Sequence, residues 1–394
     1  MKPKIVFVVQ RYGTEVVGGA ETHCRDYAES LLEFYEVEVL TSCALDYNTW
    51  AHHYPAGVSK VQGVTVRRFP AVAQRNPDHN RWWTTWQQRP RTLYDEMQWL
   101  FEQGPVLPGL LSHLAAKLDE YHVCVFFTYL YYPTVLGLRF AADKSVFVPF
   151  ANPGDDPLSF KIFRELFNLP KAIIYCSDEE RDHCHRLLGN AHVYHEVIGM
   201  GFEAIDSEAP RCFRGLHSIN GPYALFLGRI GPSKGCDILV KDFLHGLSDT
   251  AEINLVLAGT LEMELPCHPR IHHVGVIDGA IKRDALCGAT AIITPSPWDS
   301  QSLMTCEAWA AGRPVLVTAK SPVVSSLCTR SGGGAIYHDA NELANFLQRL
   351  MAEPQWGIEL GRRGREFLLR NYGKATVTER LVSLIEGVYN RNLE

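Results

Sequence analysis

The sequence predicts an α/β protein made of two doubly wound domains in series. Short apolar runs, typical of buried parallel strands, alternate with helical stretches, and this alternation occurs twice along the chain. A segment rich in glycine and proline separates the two series. At 394 residues the chain is too long for one compact core and suits two domains of ordinary size.

The first series opens with a strand, "KIVFVV", a glycine-rich turn, "RYGTEVVGGAE", and a helix, "THCRDYAESLLEF". Further strands are predicted at "EVEVLTS", "VTVRRF", "VCVFFT", "VFVPF" and "AIIYCS". Strands separated by helical stretches indicate βαβ units and a parallel sheet. We assign residues 1–200 to this domain and residues 201–221, which lack periodicity, to a linker.

The second series has strands predicted at "YALFLGRI", "INLVLAG", "IHHVGVI", "AIITPS" and "PVLVT", and we assign residues 222–374 to it. The tail predicts two amphipathic helices with a break near Tyr372 and Gly373. We expect the final helix, residues 375–394, to pack back on the first domain. Two such domains in series predict a ligand cleft between them, facing the carboxyl ends of both sheets.

Composition excludes several classes of protein. A hydrophobic content of 46% with 21% charged residues is typical of a soluble protein, and a net charge of −6 gives no reason to expect a nucleic-acid partner. Eleven cysteines without a C-x-x-C pair argue against a disulfide framework and favour a reducing compartment. The first apolar run is too short for a signal peptide or a membrane span. We therefore expect a cytoplasmic protein, with any membrane contact transient and peripheral at the inner membrane.

The loop after the first strand of the second domain carries two cations. In "LFLGRIGPSKGCDIL", Arg229 is followed five residues later by Lys234, which lies between glycines. A guanidinium and an ammonium at a glycine turn suit a diphosphate, because the backbone can approach closely and both charges are permanent. The alternative is that both are surface charges flanking a loop.

Two carboxylates flank the start of a later helix in "ITPSPWDSQSLMTCEAWAAGRPVLVT". Ser300 to Ser302 are predicted at the helix start, where backbone N–H groups favour an anion. Asp299 and Glu307 are eight residues apart, and a helix rises about 12 Å over that length. This separation is comparable to the span from the hexose to the ribose of a nucleotide sugar. Alternatively, Asp299 is a helix cap and Glu307 a solvated side chain.

Together these segments resemble a known family. "FLGRIGPSKGCDIL", "LVLAGT", "HVGVI" and "PSPWDSQSLMTCEAWAAGRPVL" are similar to the donor-binding half of family 4 glycosyltransferases, which have the GT-B fold of two Rossmann-like domains. "QRYGTEVVGGAETHCRDYAESLL" resembles the family's first glycine-rich turn. The stretch from "VEVLTSC" to "VRRFP" resembles bacterial members linked to cell-surface polysaccharide and glycan biosynthesis.

The resemblance implies roles for individual residues. Arg229 and Lys234 would hold the donor diphosphate, and Glu307 would bind the ribose hydroxyls. Asp299 would hold the donor sugar, and the distal phosphate would meet the helix start, formed by Ser300, Gln301, Ser302 and Leu303. From the first domain, the turn of Gly18 and Gly19 would approach the donor. The base would lie beside the backbone of Gly275, Val276 and Ile277.

The implied activity is that of a retaining glycosyltransferase of the hexosyltransferase class. It would use a nucleotide-diphosphate donor, such as a UDP- or GDP-sugar, and a glycan, lipid-linked or small-molecule acceptor. In this family the leaving diphosphate is thought to accept the acceptor's proton, so no cofactor, metal or separate general base is required. Arg229, Lys234, Asp299 and Glu307 are the residues we expect to act in catalysis.

The sequence departs from the family pattern at two places. Asp299 stands where a glutamate is usual, and its side chain is shorter by one C–C bond, about 1.5 Å. Many members carry a histidine after the strand that ends here as "VFVPF", whereas this chain continues "ANPGDDPLSF". Asp155 and Asp156 are the nearest polar substitutes, and they are either catalytic or a loop pair before a proline.

Two other functions compete with this one. A non-catalytic nucleotide-sugar-binding subunit is the alternative that both departures support. A dinucleotide-dependent oxidoreductase fits poorly, because "GTEVVGGAE" is not G-x-G-x-x-G and "EVEVLTS" ends without the acidic residue that binds an adenosine ribose.

Several aromatic and metal-ligand residues have alternative interpretations. Residues 75–91 interleave arginines with Trp82, Trp83 and Trp86, which either shape acceptor choice or dock on their own domain. In "FFTYLYYPT", three tyrosines either line the acceptor site or form the edge of the core: Tyr129, Tyr131 and Tyr132. The spacing of two histidine–cysteine groups fits no zinc site, and we expect them to serve in packing: Cys267, His268, His272 and His273; and His183, Cys184 and His185.

Overall fold

The computed structural model describes residues 2–78, 81, 82, 86, 89–206, 212–247 and 252–390. The chain divides into two compact units, residues 1–201 with 377–394 and residues 202–376. Each unit is an α/β assembly around its own sheet.

The first unit contains an eight-stranded sheet. Its strands are β1 (Lys4–Val8), β2 (Glu36–Ser42), β3 (Gly57–Val61), β4 (Val64–Phe69), β5 (Val123–Phe127), β6 (Ser145–Val148), β7 (Ala172–Tyr175) and β8 (Tyr194–Val197). Their spatial order is β3-β4-β2-β1-β5-β6-β7-β8, and every neighbouring pair is parallel except β3 with β4. The central strands are mostly apolar, and buried apolar clusters lie on both faces of the sheet, as is usual when helices cover a parallel sheet.

Two helices of the first unit begin at residues whose side chains cap them. Thr92 and Asp95 form a capping box, and the Ser177 hydroxyl accepts from the Glu180 N–H. The helices are α1 (Gly19–Ser30), α2 (Leu93–Gln103), α3 (Pro108–Lys117), α4 (Tyr132–Phe140), α5 (Lys161–Leu166) and α6 (Asp178–Leu188).

The second unit contains a six-stranded sheet in which all strands are parallel. Its strands are β9 (Tyr223–Leu227), β10 (Asn254–Ala258), β11 (Ile271–His273), β12 (Ala291–Thr294), β13 (Val315–Thr318) and β14 (Gly334–Tyr337), in the order β11-β10-β9-β12-β13-β14. The helices are α7 (Cys212–Leu216), α8 (Cys236–Gly246), α9 (Gly279–Gly288), α10 (Leu303–Ala310), α11 (Pro322–Ser331), α12 (Ala340–Ala352) and α13 (Pro354–Tyr372).

The last helix, α14 (Lys374–Asn390), follows α13 with a break at Gly373, where the sequence predicts one. One face of α14 is apolar and buried in the core of the first unit, beside residues of β1 such as Ile5 and Phe7. That face is formed by Val377, Leu381, Leu384, Ile385 and Val388.

Every strand predicted from the sequence is present, but some bounds are wrong. The strand predicted at 271–277 ends at His273, because the chain turns at Gly275 with φ +71°. Strands β3, β8 and β14 were not predicted. Residues 201–221, expected to be an aperiodic linker, include helix α7, and Ile205 N–H donates to Ala310 O within the second unit.

Two further findings concern membrane spans and cysteine pairing. Among the described helices, none combines the length and the apolar character that a bilayer span needs. The ten cysteines whose side chains are described are all free thiols, nine of them buried.

Candidate functional site

The predicted donor residues of the second unit lie in loops at one edge of its sheet. Strands β9, β10 and β12 are neighbours and parallel, so the loops that follow them leave the sheet at the same edge. The chain continues from β9 to β10 on one side, and β12 lies on the other. The edge between β9 and β12 is therefore the topological switch point, where ligands bind in doubly wound sheets.

The loop after β9 carries both predicted cations. Lys234 ends a single 3₁₀ turn, Pro232–Lys234, and Gly235 follows with φ +72°. A Cβ atom on Gly235 would lie 2.4 Å from the Pro295 carbonyl oxygen, so only glycine allows this loop to pack against the loop after β12. Arg229 is 43% exposed, and its guanidinium lies 3.8 Å from Glu262 Oε1.

Lys234 and Asp299 are brought together across the two loops. Lys234 Nζ donates to Asp299 Oδ1 at 3.3 Å, although 65 residues separate them in the sequence. The Asp299 side chain is only 16% exposed. Burial raises the pKa of its carboxyl, and the Lys234 ammonium opposes that rise. The predicted diphosphate cation and the predicted sugar ligand are thus direct neighbours.

The start of helix α10 has no side-chain cap. Ser302 is its N-cap residue, with φ +61°, and its hydroxyl donates to Thr305 Oγ1 at 3.0 Å instead of accepting a backbone N–H. The first N–H groups of a helix have no partner within it, so they can bind an anion. Because α10 begins at Leu303, only the second half of the segment from Asp299 to Glu307 is helical. The helical rise of about 12 Å over all eight residues is therefore wrong.

Glu307 lies inside α10 and is paired with a residue that the sequence analysis missed. Lys282 Nζ, in the first turn of α9, donates to Glu307 Oε1 at 2.5 Å. Lys282 gave no signal in the sequence, because the pairing joins two helices and 25 residues separate the partners.

Three glycines join the loops that follow β9, β10 and β11. Gly259 has φ +146°, and a Cβ atom there would lie 1.8 Å from Gly228 O. The Gly259 N–H donates to Gly275 O at 2.8 Å. Val276, which is 67% exposed, and Ile277 lie in the same loop as Gly275, and their predicted position beside the base stays a prediction. These glycines set the close approach of the backbone at this edge.

In the first unit, Gly18 is the N-cap of α1, and Gly19 is the first residue of that helix. A Cβ atom on Gly18 would lie 2.1 Å from Glu21 Oε2. Glu21 forms a buried ion pair with Arg11, and Gln10 Nε2 also donates to Glu21 Oε1 at 2.9 Å. This buried pair was not predicted. Glu21, two residues after Gly19, is the one feature of the sequence that could have indicated it.

The loop after β6, where many members of the resembled family carry a histidine, contains Asp155 and Asp156. Asp155 Oδ2 accepts from the Asn152 N–H at 2.9 Å, and burial raises the pKa of its carboxyl. Asp156 is exposed and begins a 3₁₀ turn that ends at Ser159. Glu180, which is buried, accepts from the Ala151 N–H at 2.6 Å and fixes the start of this loop.

The tryptophans and tyrosines proposed from the sequence to shape or line the acceptor site, where they are described, pack within the first unit. Trp82 stacks on Trp86 with ring centroids 5.9 Å apart, and Trp86 meets Phe160 edge to face at 5.3 Å. Trp83 lies outside the described residues. Tyr129 and Tyr132 are buried, and Tyr131 meets Trp50 edge to face at 5.5 Å. These contacts favour docking of the tryptophans on their own domain and the core-edge interpretation of the tyrosines.

The two histidine–cysteine groups make ordinary contacts. His272 Nε2 lies 3.0 Å from Asn254 Oδ1, and His273 Nε2 lies 3.0 Å from Gly259 O. His268 Nδ1 accepts from the Arg270 N–H, and Cys267 is exposed. In the other group, Cys184 is buried in the core of the first unit, and His185 packs against Tyr175 and His195.

Comparisons with known proteins agree with this architecture. Residues 221–353, less than half of the chain, match the family model described as "Glycosyl transferases group 1". No curated protein matches the chain significantly.

Solved structures are similar over nearly the whole chain. Sucrose-phosphate synthase from Thermosynechococcus elongatus is 16% identical, covers 99% of this chain and 100% of its own, and has a TM-score of 0.75. Anabaena HepE in complex with UDP-glucose is 16% identical, with 98% and 99% covered and a TM-score of 0.68. WaaG, a glycosyltransferase involved in lipopolysaccharide biosynthesis, is 12% identical, with 97% and 100% covered and a TM-score of 0.64. At these identities the likeness establishes the fold, which is GT-B.

Proposed function

We propose that this GT-B protein is a retaining glycosyltransferase that moves a sugar from a nucleotide-diphosphate donor to an acceptor. The observation that carries the proposal is the Lys234–Asp299 contact between the loops after β9 and β12. It joins a phosphate-binding cation to a hydroxyl-binding carboxylate at the switch point of the sheet. The family-model match over residues 221–353 lies on the same unit.

The donor is proposed to lie along the edge of the second sheet. Arg229 and Lys234 bind the diphosphate, together with the uncapped N-terminus of α10. Asp299 binds hydroxyls of the sugar, and Glu307 binds the ribose, since carboxylates accept hydrogen bonds from hydroxyls. The similar structure of Anabaena HepE is a complex with UDP-glucose, which makes a UDP-sugar the first donor to test.

In the proposed reaction an acceptor oxygen bonds to the anomeric carbon as the bond from that carbon to the diphosphate breaks. The acceptor's proton passes to the leaving diphosphate oxygen, and the sugar keeps its anomeric configuration. The protein then acts mainly by stabilising the charge that develops on the leaving group, through Arg229, Lys234 and the α10 helix start. On this mechanism neither a metal ion nor a separate general base is needed.

A direct test measures nucleoside diphosphate release. The purified protein is first screened by thermal shift against UDP-, GDP-, TDP- and ADP-sugars, and the stabilising donor is then incubated with glycan, lipid-linked and small-molecule acceptors. Acceptor-dependent release, undiminished by a metal chelator, is expected. The anomeric configuration of the product, determined by NMR, tests retention. Donor binding without release from any acceptor would instead favour the non-catalytic nucleotide-sugar-binding subunit.

A further inference from the structure

Glu307, the carboxylate proposed to bind the donor ribose, forms an ion pair with Lys282. Lys282 Nζ lies 2.5 Å from Glu307 Oε1, and the two side chains are 33% and 20% exposed. Lys282 is on α9, which follows β11, and Glu307 is on α10, which follows β12. Two separate helices therefore present one charge each at the same point.

The stability of α9 does not explain why a lysine stands there. Beyond its N-cap residue, Asp278, the first turn of α9 contains no acidic residue, and a cation near a helix N-terminus is opposed by the helix dipole. Partly exposed ion pairs also contribute little to the stability of a fold. The position of the Lys282 ammonium is therefore better explained by what it does beside Glu307.

The pair has the hydrogen-bonding pattern that a vicinal diol requires. Each hydroxyl of a diol both donates and accepts, whereas a carboxylate only accepts and an ammonium only donates. After bonding to Glu307, the ammonium keeps two of its three N–H donors, and the carboxylate keeps further lone pairs. Side by side, the two groups can satisfy both capacities of a diol.

We propose that Lys282 and Glu307 together recognise the ribose 2′,3′-diol of the donor, and that Lys282 makes the protein selective for ribonucleotides over 2′-deoxyribonucleotides. This inference rests on the proposed function, which places the ribose at Glu307. A ligand without the 2′-hydroxyl leaves part of the pair without a hydrogen-bond partner. Sites built to bind a hydroxyl discriminate strongly against analogues that lack it.

Calorimetric titration of the full chain tests the inference with defined probes. UDP, GDP and ADP are each compared with the 2′-deoxy counterpart, for the wild type, for Lys282→Met and for Lys282→Arg. Lys117→Met is the control, because Lys117 forms a lysine–glutamate pair of similar length, 2.6 Å, that is more exposed and lies in the first unit. Thermal unfolding of each variant is measured in parallel.

We expect the wild type to bind its best ribonucleotide about tenfold or more tightly than the deoxy form. Lys282→Met should reduce this ratio to within about threefold, Lys282→Arg should restore most of it, and Lys117→Met should leave it unchanged. An unchanged ratio in Lys282→Met, or a wild type without ribose selectivity, overturns the inference while the proposed donor site stands. Failure of the wild type to bind any of the nucleotides overturns the proposed function, and the inference with it.

Discussion

Replacing Arg229 by alanine tests the diphosphate site with little risk to the fold. The guanidinium is 43% exposed, and its distance of 3.8 Å from Glu262 Oε1 is too long for a hydrogen bond. Glu262 is itself 40% exposed, so its carboxylate stays hydrated when the guanidinium is removed. Exposed pairs of this kind contribute about 0–1 kcal/mol to stability.

The loss of transition-state stabilisation should be much larger. A hydrogen bond to a charged group contributes about 1.5–3 kcal/mol. Each 1.36 kcal/mol of barrier corresponds to a factor of about ten in rate. Arg229→Ala should therefore lower kcat/KM by about 10- to 160-fold. Because charge builds on the leaving diphosphate in the transition state, part of the loss should fall on kcat.

The assay measures release of the nucleoside diphosphate over a range of donor concentrations, with thermal unfolding recorded for the same preparations. Arg363→Ala provides a matched control, because Arg363 is an exposed arginine of the same unit, bonded to Glu359 at 2.8 Å. The control should keep wild-type turnover and a similar melting temperature. Near-wild-type rates for Arg229→Ala at saturating donor, or a melting temperature that falls in step with the rate, would refute the diphosphate role.

Three further predictions concern the backbone, the donor sugar and pH. Gly259→Ala should lower the free energy of unfolding by about 3 kcal/mol or more, because its Cβ atom would lie 1.8 Å from Gly228 O. Gly275→Ala is the comparison, because a Cβ atom there would lie in open space at φ +71°, and it should lower the free energy of unfolding by only about 1–2 kcal/mol. Urea unfolding measures both values. Asp299→Glu lengthens the side chain by about 1.5 Å. When donor sugars are ranked by kcat/KM, this substitution should change their order, while the affinity for UDP changes less. An unchanged order would argue that Asp299 does not contact the sugar. Burial lowers the pKa of His23 to about 3, whereas an unfolded histidine titrates near 6.5, so the unfolded chain binds the extra proton and stability falls as the pH drops below about 6.5. The melting temperature of His23→Phe should fall less than that of the wild type between pH 7 and pH 5, and parallel curves would contradict this.

The sequence predicts the buried part of this fold well, because burial on both faces produces continuous apolar runs. All strands of that kind are present, from β1 at "KIVFV" to β13 at "VLVT". The missed strands have a different character. Strand β3 is exposed and antiparallel at the sheet edge, with the sequence "GVSKV". Because an edge strand buries little surface, no apolar pattern marks it.

The site shows the same division between local and non-local information. The glycine turn of Lys234 and the helix start at Ser302 are local features, and the sequence indicated both. The partners were not predictable, because Lys234 meets Asp299 across 65 residues and Lys282 meets Glu307 across 25. Those contacts depend on which strands are neighbours in the sheet, and the chain pattern alone does not determine the strand order.

The Lys234–Asp299 contact couples the proposed diphosphate site to the proposed sugar site, because Lys234 can pair either with Asp299 or with the diphosphate. Without a ligand, the Lys234 ammonium is the main partner that favours ionised Asp299, whose burial favours the neutral acid. A diphosphate that takes the ammonium as its own partner weakens this contact and leaves the carboxyl oxygens available to the hydroxyls of the sugar. We therefore expect Asp299 to bind the sugar of an intact donor more strongly than a free sugar. The increase in melting temperature that glucose causes should then be larger in the presence of UDP than in its absence, and equal increases would argue against this coupling.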